Sequence, residues 1–239
     1  MSIKHIITTT LLLLSTALSS QAKGTADEIE VKYKYRFGAD FQIKLAKGLK
    51  LNLEPEFRFN EGYDKLVLSS SLSYKTFGCI YWGATYRLDV DRQESATTTT
   101  SVGYNSGLFG TGEYESELFH RYAFDVTYKE KFGRFTPSFR LRYNNFADES
   151  IDDERFMRYR AKVDYNIRKC RITPTASIEA FQQLGDGASG AILYKMRYST
   201  GFDLKINKQS SINFDYKFEL HCLEYQNNNI FSVGYGHKF

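Results

Sequence analysis

Residues 211–224 read SINFDYKFELHCLE, and every second residue of this stretch is apolar. The even positions from Ile212 to Cys222 are apolar, whereas the odd positions from Asn213 to His221 are polar or charged. Because successive side chains of a β-strand point to opposite faces, the stretch predicts a strand with one oily side and one charged side. The period does not say whether the oily side meets a protein core or a lipid bilayer, and the function depends on that choice.

The same alternation runs through most of the chain after residue 28. It predicts an all-β protein: a closed antiparallel transmembrane β-barrel of about twelve strands, with about ten as the alternative. Twelve strands require a first hairpin, with strands at residues 28–37 and 40–46 joined by a very short loop at Phe37–Asp40. That extra strand is what places the start of the barrel in the periplasm.

The predicted connections alternate in length along the chain. Short turns are expected near residues 47–48, 77–79, 130–133, 168–170 and 207–210, and longer ones near 60–65, 92–117, 145–153, 184–190 and 224–229. Short turns on one rim and long loops on the other are typical of outer-membrane barrels. The 92–117 loop is rich in Thr, Ser and Gly, and three roles stay open for it: a plug, a binding loop or a mobile segment.

The first 22 residues have the pattern of a secretory signal peptide. Lys4 precedes the uncharged apolar run IITTTLLLLSTAL, and small residues follow. We therefore expect cleavage near Ala22, a barrel domain over residues 23–239, and a location in the outer membrane of a Gram-negative cell.

Composition excludes several classes of protein. The chain carries 32 basic and 28 acidic residues, a balance that does not suggest a nucleic-acid partner. The three cysteines have no metal-ligand spacing, and there is no Gly-rich phosphate loop after a strand. We expect no cofactor or metal, a monomer, and two partners: the lipid of the outer membrane and the barrel-assembly machinery.

Two features favour lipid rather than a protein core on the oily side. Long charged side chains run through the middle of strands, as in residues 158–164, and aromatic residues lie near strand ends, as at a bilayer interface. These aromatic residues are Phe59, Tyr74, Tyr128, Phe135, Tyr143 and Tyr194. In addition, Tyr235 and Phe239 end an alternating strand and resemble the signal that bacterial outer-membrane proteins present for barrel assembly. A soluble periplasmic β-protein remains the alternative.

Matching the inward parities of neighbouring strands predicts a belt of charge in the lumen. Arg142 falls opposite Arg158, Arg140 opposite Arg160, Arg160 opposite Glu179, and Arg121 opposite Arg142. The predicted cluster comprises Arg121, Arg140, Arg142, Arg158, Arg160, Glu179 and Arg197, with Glu54, Glu56 and Asp89 as carboxylates on the opposite wall. Two interpretations stay open: a positive wall that favours passage of small anions, or paired charges that fill the interior.

Catalysis has little support in the sequence. His221 points inward near Glu219 and Arg197, but no serine on the inward face accompanies it, and a base needs a nucleophile within reach. We expect no enzyme and no catalytic residues. The alternative is an outer-membrane lipid or peptide hydrolase, or an acyltransferase, that uses His221.

Four strand motifs appear in order along the second half of the chain. They are Arg158 with Arg160, Pro174 with Glu179 and Phe181, Arg197 with Gly201, and the final Phe239. In this order they resemble a family of Bacteroidota outer-membrane barrel proteins with a domain of unknown function, over about residues 30–239. The resemblance implies a barrel and a location, and it brings no activity or catalytic residue.

Overall fold

The computed structural model describes residues 30–60, 63–76, 78–94, 114–146, 155–184, 191–222 and 226–239. These ranges contain eleven β-strands and no helix. The strands are β1 (Glu30–Ala46), β2 (Leu49–Asn60), β3 (Tyr63–Lys75), β4 (Ile80–Glu94), β5 (Tyr114–Lys129), β6 (Phe135–Phe146), β7 (Arg155–Tyr165), β8 (Ile172–Leu184), β9 (Ala191–Lys205), β10 (Ser210–His221) and β11 (Gln226–Lys238).

The eleven strands form one closed barrel, as the alternation predicts. Neighbours in sequence pair antiparallel, and the barrel closes by a parallel pairing of β1 with β11 over thirteen residue pairs, from Glu30 opposite Gln226 to Gln42 opposite Lys238. Because these two strands run in the same direction, Glu30 and Phe239 lie at opposite rims. We call them the Glu30 rim and the Phe239 rim; the Phe239 rim carries the turn at Lys47–Gly48.

The predicted first hairpin is wrong, and this accounts for eleven strands instead of twelve. Residues 37–40 lie inside β1, which is a single strand of 17 residues. Gly38 does not turn the chain: a Cβ atom there would lie 3.2 Å from the carbonyl oxygen of Pro55, so glycine permits close approach of β2. The chain therefore enters the barrel at the rim opposite its C-terminus, contrary to the predicted topology.

The two faces of the sheet carry opposite kinds of side chain. Large apolar residues are exposed on the outside; Phe124 of β5, for example, is 63% exposed. Charged residues are buried inside, where Asp89 of β4 is 0% exposed and Glu179 of β8 is 4% exposed. This distribution is the reverse of that in a protein that buries an apolar core.

The turn between β5 and β6 lies further along the chain than predicted. The hairpin continues past Lys129 to a two-residue turn at Gly133, whose φ of 60° suits glycine, and Phe132 and Phe135 exchange backbone hydrogen bonds across it. The register consequently shifts by four residues. Arg121 lies opposite Phe146, and Asp125 takes the predicted place opposite Arg142.

Two predicted segments fall mainly outside the described residues. The signal peptide of residues 1–22 lies there entirely, and so do residues 95–113 of the predicted 92–117 loop; the ends of that loop belong to β4 and β5. Within the described part of the chain, no helix is long and apolar enough to cross a membrane.

Candidate functional site in the barrel lumen

The strands β6, β7 and β8 bring the predicted arginines together in the predicted register. Arg140 lies opposite Arg160, and Arg142 lies opposite Arg158. Across the next hairpin, Arg160 lies opposite Glu179. Parity alone therefore located these five side chains, because each of the two hairpins keeps its register from the turn to the other rim.

Glu179 is the centre of an ion-pair cluster that contains three arginines. Arg140 and Arg158 donate to its Oε1 at 3.2 and 3.0 Å, and Arg197 of β9 donates to its Oε2 at 3.0 Å. One carboxylate thus faces three guanidinium groups. Both carboxylate oxygens accept hydrogen bonds from guanidinium groups, and these charge-assisted bonds offset the free-energy cost of burying the carboxylate.

An aromatic ring extends this cluster towards the Glu30 rim. Phe181, which is buried, lies two residues after Glu179 and faces the lumen as well. The guanidinium carbons of Arg158 and Arg197 lie 4.6 and 4.7 Å from its ring centroid, and the ammonium of Lys195 lies 4.7 Å from it. Three cations over one ring are held close together partly by attraction to the face of the ring.

A second carboxylate, Glu219 of β10, links this cluster to His221. Its Oε1 accepts a hydrogen bond from Nε of Arg197 at 2.6 Å, and Lys195 lies 3.7 Å from its Oε2. The imidazole Nε2 of His221 lies 2.9 Å from the amide nitrogen of Asn228 and 4.0 Å from Glu219. The prediction that His221 faces inward is confirmed, and these contacts place an amide and a carboxylate beside its ring.

Two further carboxylates bind Arg142 and Arg121 of the predicted cluster, whereas Arg160 has no carboxylate oxygen within 4 Å among the described residues. Asp125 accepts two hydrogen bonds from Arg142, at 2.7 and 3.1 Å. Asp89 lies 2.5 Å from Arg87 and 3.1 Å from Arg121. Of the predicted carboxylates, Asp89 therefore meets a predicted arginine. Glu56 instead pairs with Arg58 two residues along its own strand, and Glu54 has no ion pair within 4 Å among the described residues.

Tyr194 does not belong to the outer aromatic belt predicted for it. The β8–β9 register shifts between Phe181 and Gln182, which leaves Tyr194 as an extra residue on β9. Its ring lies 5.5 Å from that of His221 and lines the lumen cavity. The sequence does not reveal the bulge, because the extra residue shifts the two-residue period only over the short segment of residues 191–194 next to the rim.

These side chains enclose a cavity of about 690 Å³. Eleven basic and five acidic side chains line it, so its wall is strongly positive. Three buried carboxylates, Glu179, Asp89 and Asp125, accept ion pairs from several of these basic side chains and offset part of the positive charge. Within the described ranges, no group of three His, Cys, Asp or Glu residues is placed to hold a metal ion.

The predicted cluster left out six residues of the network. Asp125, Glu219 and Phe181 organise the arginines, and Lys34, Arg36 and Lys217 add positive charge on the wall formed by β1, β10 and β11. All six have inward parity, so a signal was present. What was missing was the distance across the lumen, which the order and tilt of the strands determine.

Comparison with known proteins adds a family and no activity. A family model described as a protein of unknown function (DUF2490) matches residues 33–221. No curated protein matches the chain. The match confirms the predicted resemblance to a family of unknown function; the Bacteroidota source and the outer-membrane location stay predictions.

Proposed function

We propose that this chain, which belongs to the DUF2490 family of proteins of unknown function, is an outer-membrane β-barrel whose positive lumen passes small anions. The observation that carries the proposal is the inversion of the two faces: apolar side chains cover the outside, and ionised side chains fill the inside. In water such an outer surface would be an aggregation hazard, whereas in lipid it is the expected surface.

Closure of the sheet supports placement in a membrane. A backbone polar group without a partner costs several kcal/mol in hydrocarbon, and a closed barrel has no free edge. Exposed aromatic side chains also occur near both rims: Tyr33 and Phe59 at the Glu30 rim, and Tyr74, Tyr128 and Phe135 at the Phe239 rim. Rings at both ends of an apolar band suit the two interfaces of a bilayer.

The C-terminal strand supports the proposed partnership with barrel-assembly machinery. Tyr235, His237 and Phe239 point outward in a row; the rings of His237 and Phe239 lie 4.5 Å apart, and Phe239 is 69% exposed. The backbone nitrogen of Phe239 donates to the carbonyl oxygen of Gln42 at 2.9 Å, so Phe239 is held on the closing seam between β11 and β1.

The charge excess of the cavity supports anion passage over a purely structural barrel. The Glu179 cluster fills one side of the lumen, and the cavity of about 690 Å³ remains beside it. A narrow space with a positive wall and low-dielectric surroundings concentrates anions and repels cations. We propose no catalytic role, because Asn228 and Glu219 hold His221 in the polar network of the lumen wall.

Fractionation tests the location. We expect the processed protein to sediment with outer membranes, to resist extraction by high salt or alkaline carbonate, and to need detergent for solubilisation. On SDS gels the unheated protein should migrate differently from the heated one, because a closed barrel resists SDS until it is boiled. A processed protein that stays in the soluble periplasmic fraction as a compact monomer would contradict the proposal.

Planar-bilayer conductance tests the passage. We expect small single-channel steps, and under a KCl gradient a reversal potential of the sign given by chloride selectivity. The selectivity should weaken as the salt concentration rises, because screening shortens the reach of the wall charges. A barrel that inserts into the bilayer but conducts no ions would contradict the proposed anion passage and would favour a structural role.

A further inference from the structure

Three of the cations that line the cavity lie outside the ion-pair clusters described above. Lys34 and Arg36 lie on β1, and Lys217 lies on β10, on either side of β11. Among the described residues, none of the three has a carboxylate oxygen within 4 Å. All three line the cavity, and we call them the seam cations.

The strand pairing holds the seam cations around two residues of β11. Lys34 and Lys217 both lie opposite Ile230, one from each side, and Arg36 lies opposite Ser232. Ile230 is fully buried between the two lysines, and Nζ of Lys217 donates to Oγ of Ser232 at 3.2 Å. The three charges therefore occupy adjacent positions on rigid strands.

Adjacent like charges in a partly desolvated space raise the free energy of the barrel unless a counter-charge is present. For the other cations that line the cavity, the protein supplies that counter-charge itself, with Glu56, Glu179, Glu219, Asp125 and Asp89. At the seam it supplies none within 4 Å among the described residues. Asp215 and Glu219 flank Lys217 on β10, with Asp215 opposite Ser232, and Glu56 lies on β2. The missing negative charge is therefore expected to arrive from solution.

We propose that the seam cations form a binding site for a phosphorylated, hydrophilic small solute, with the phosphate group on Arg36 and Lys217. A guanidinium, two ammonium groups and a serine hydroxyl supply the donors and the positive charge that a phosphate dianion takes up. This inference rests on the proposed function, because it identifies the class of anion that the lumen receives.

The size and polarity of the cavity restrict the rest of the solute. A volume of about 690 Å³ lies within the range of small-molecule sites and exceeds what a phosphate group alone fills. The lining also contains neutral hydrogen-bonding side chains, including Ser69, Ser71, Thr85 and Asn213. These groups suit the hydroxyls of a sugar phosphate better than an apolar tail.

Calorimetric titration of the full processed chain in detergent micelles tests the site. The probes are glucose 6-phosphate, inorganic phosphate, succinate and glucose. We expect saturable binding of glucose 6-phosphate, weaker binding of inorganic phosphate, and no binding of glucose. Succinate binding as tightly as glucose 6-phosphate would overturn the assignment to phosphates, since the site would then select charge alone. Binding of inorganic phosphate without binding of glucose 6-phosphate would overturn the claim that the site accepts a phosphorylated organic solute.

Matched substitutions identify the residues. Arg36→Gln and Lys217→Gln should each weaken glucose 6-phosphate binding by about tenfold or more, and Lys217→Arg should restore most of the affinity. The control is Lys162→Gln, because Lys162 faces the lumen, pairs with Asp164 at 3.1 Å and does not line the cavity. It should change affinity by less than about twofold. Equal weakening by Lys162→Gln, or unchanged binding by the two seam variants, would overturn the site.

The same variants distinguish loss of phosphate binding from loss of folding and from loss of anion conductance. Each variant is first checked for the heat-dependent gel shift, so that loss of binding by an unfolded barrel is not counted. Selective anion conductance without saturable binding would remove this inference and leave the proposed function. Phosphate binding by a barrel that inserts but conducts no ions would keep the phosphate site and remove the proposed anion passage.

Discussion

A Glu179→Gln substitution is expected to lower the free energy of unfolding of the barrel by about 3–5 kcal/mol. Glu179 is 4% exposed and is the shared acceptor of Arg140, Arg158 and Arg197. Glutamine keeps the size of the side chain but removes its charge, so three guanidinium groups remain together without their carboxylate. Removing one partner from a buried ion cluster is far more harmful than removing a surface pair.

The measurement is chemical unfolding of the purified barrel in phospholipid vesicles, followed by the fluorescence of Trp82. This residue is the single tryptophan of the chain and is 54% exposed on the outer face, so its emission reports contact with lipid. Unfolding midpoints and slopes of the variant and the parent are compared under the same conditions.

The matched control is Glu54→Gln, which removes a carboxylate from the same cavity. Glu54 has no ion pair within 4 Å in the part of the chain that the structure describes. Its substitution should therefore change stability by less than about 1 kcal/mol. An equal loss in both variants would show that total lumen charge matters, and that the contacts of Glu179 do not.

The second large effect concerns two neighbouring residues of β3 that face opposite sides of the sheet. Leu68 is 41% exposed on the outer face, near the middle of the strand, whereas Ser69 lines the cavity and lies opposite Glu54. Leu68→Arg should destabilise the protein in lipid by about 2–4 kcal/mol, because a charge on the lipid face near the bilayer centre must leave water.

Ser69→Arg introduces the same side chain one residue away and should lower the stability of the protein much less. The arginine enters a polar lumen beside Glu54, which has no ion pair within 4 Å among the described residues. Folding yield into vesicles and the unfolding midpoint are the readouts for both variants. A soluble protein would tolerate the arginine at position 68 better than the one at position 69. That reversed order would refute a lipid-facing outer surface.

Much of the fold follows from the sequence because the two-residue period is a local property. Each strand assigns its own inward and outward residues, and short hairpins carry the register across, which is why Arg140 and Arg160 were paired correctly. The same local reasoning failed at Arg121, because moving the β5–β6 turn shifts the pairing by four residues without changing either face.

The candidate site also has features that the sequence predicts and features that it does not. The inward arginines could be predicted from parity, and so could the lumen position of His221. Their grouping around Glu179 and Glu219 could not, because it depends on which residues of β6, β7, β9 and β10 reach the same carboxylate. Tyr194 was misplaced because one extra residue in β9 shifts the two-residue period for residues 191–194 at the rim.

By itself, the sequence determined the alternation of an oily and a charged face, and with it an all-β barrel. Tertiary structure alone decided the number of strands and the partners of the buried charges. A continuous alternation through residues 37–40 is compatible with one strand or with two. Gly38 could form part of a turn between two strands, or it could lie within one strand where a neighbouring strand approaches closely. The choice was made by β2 and β11, which pair with β1 along its length and leave no room for a turn.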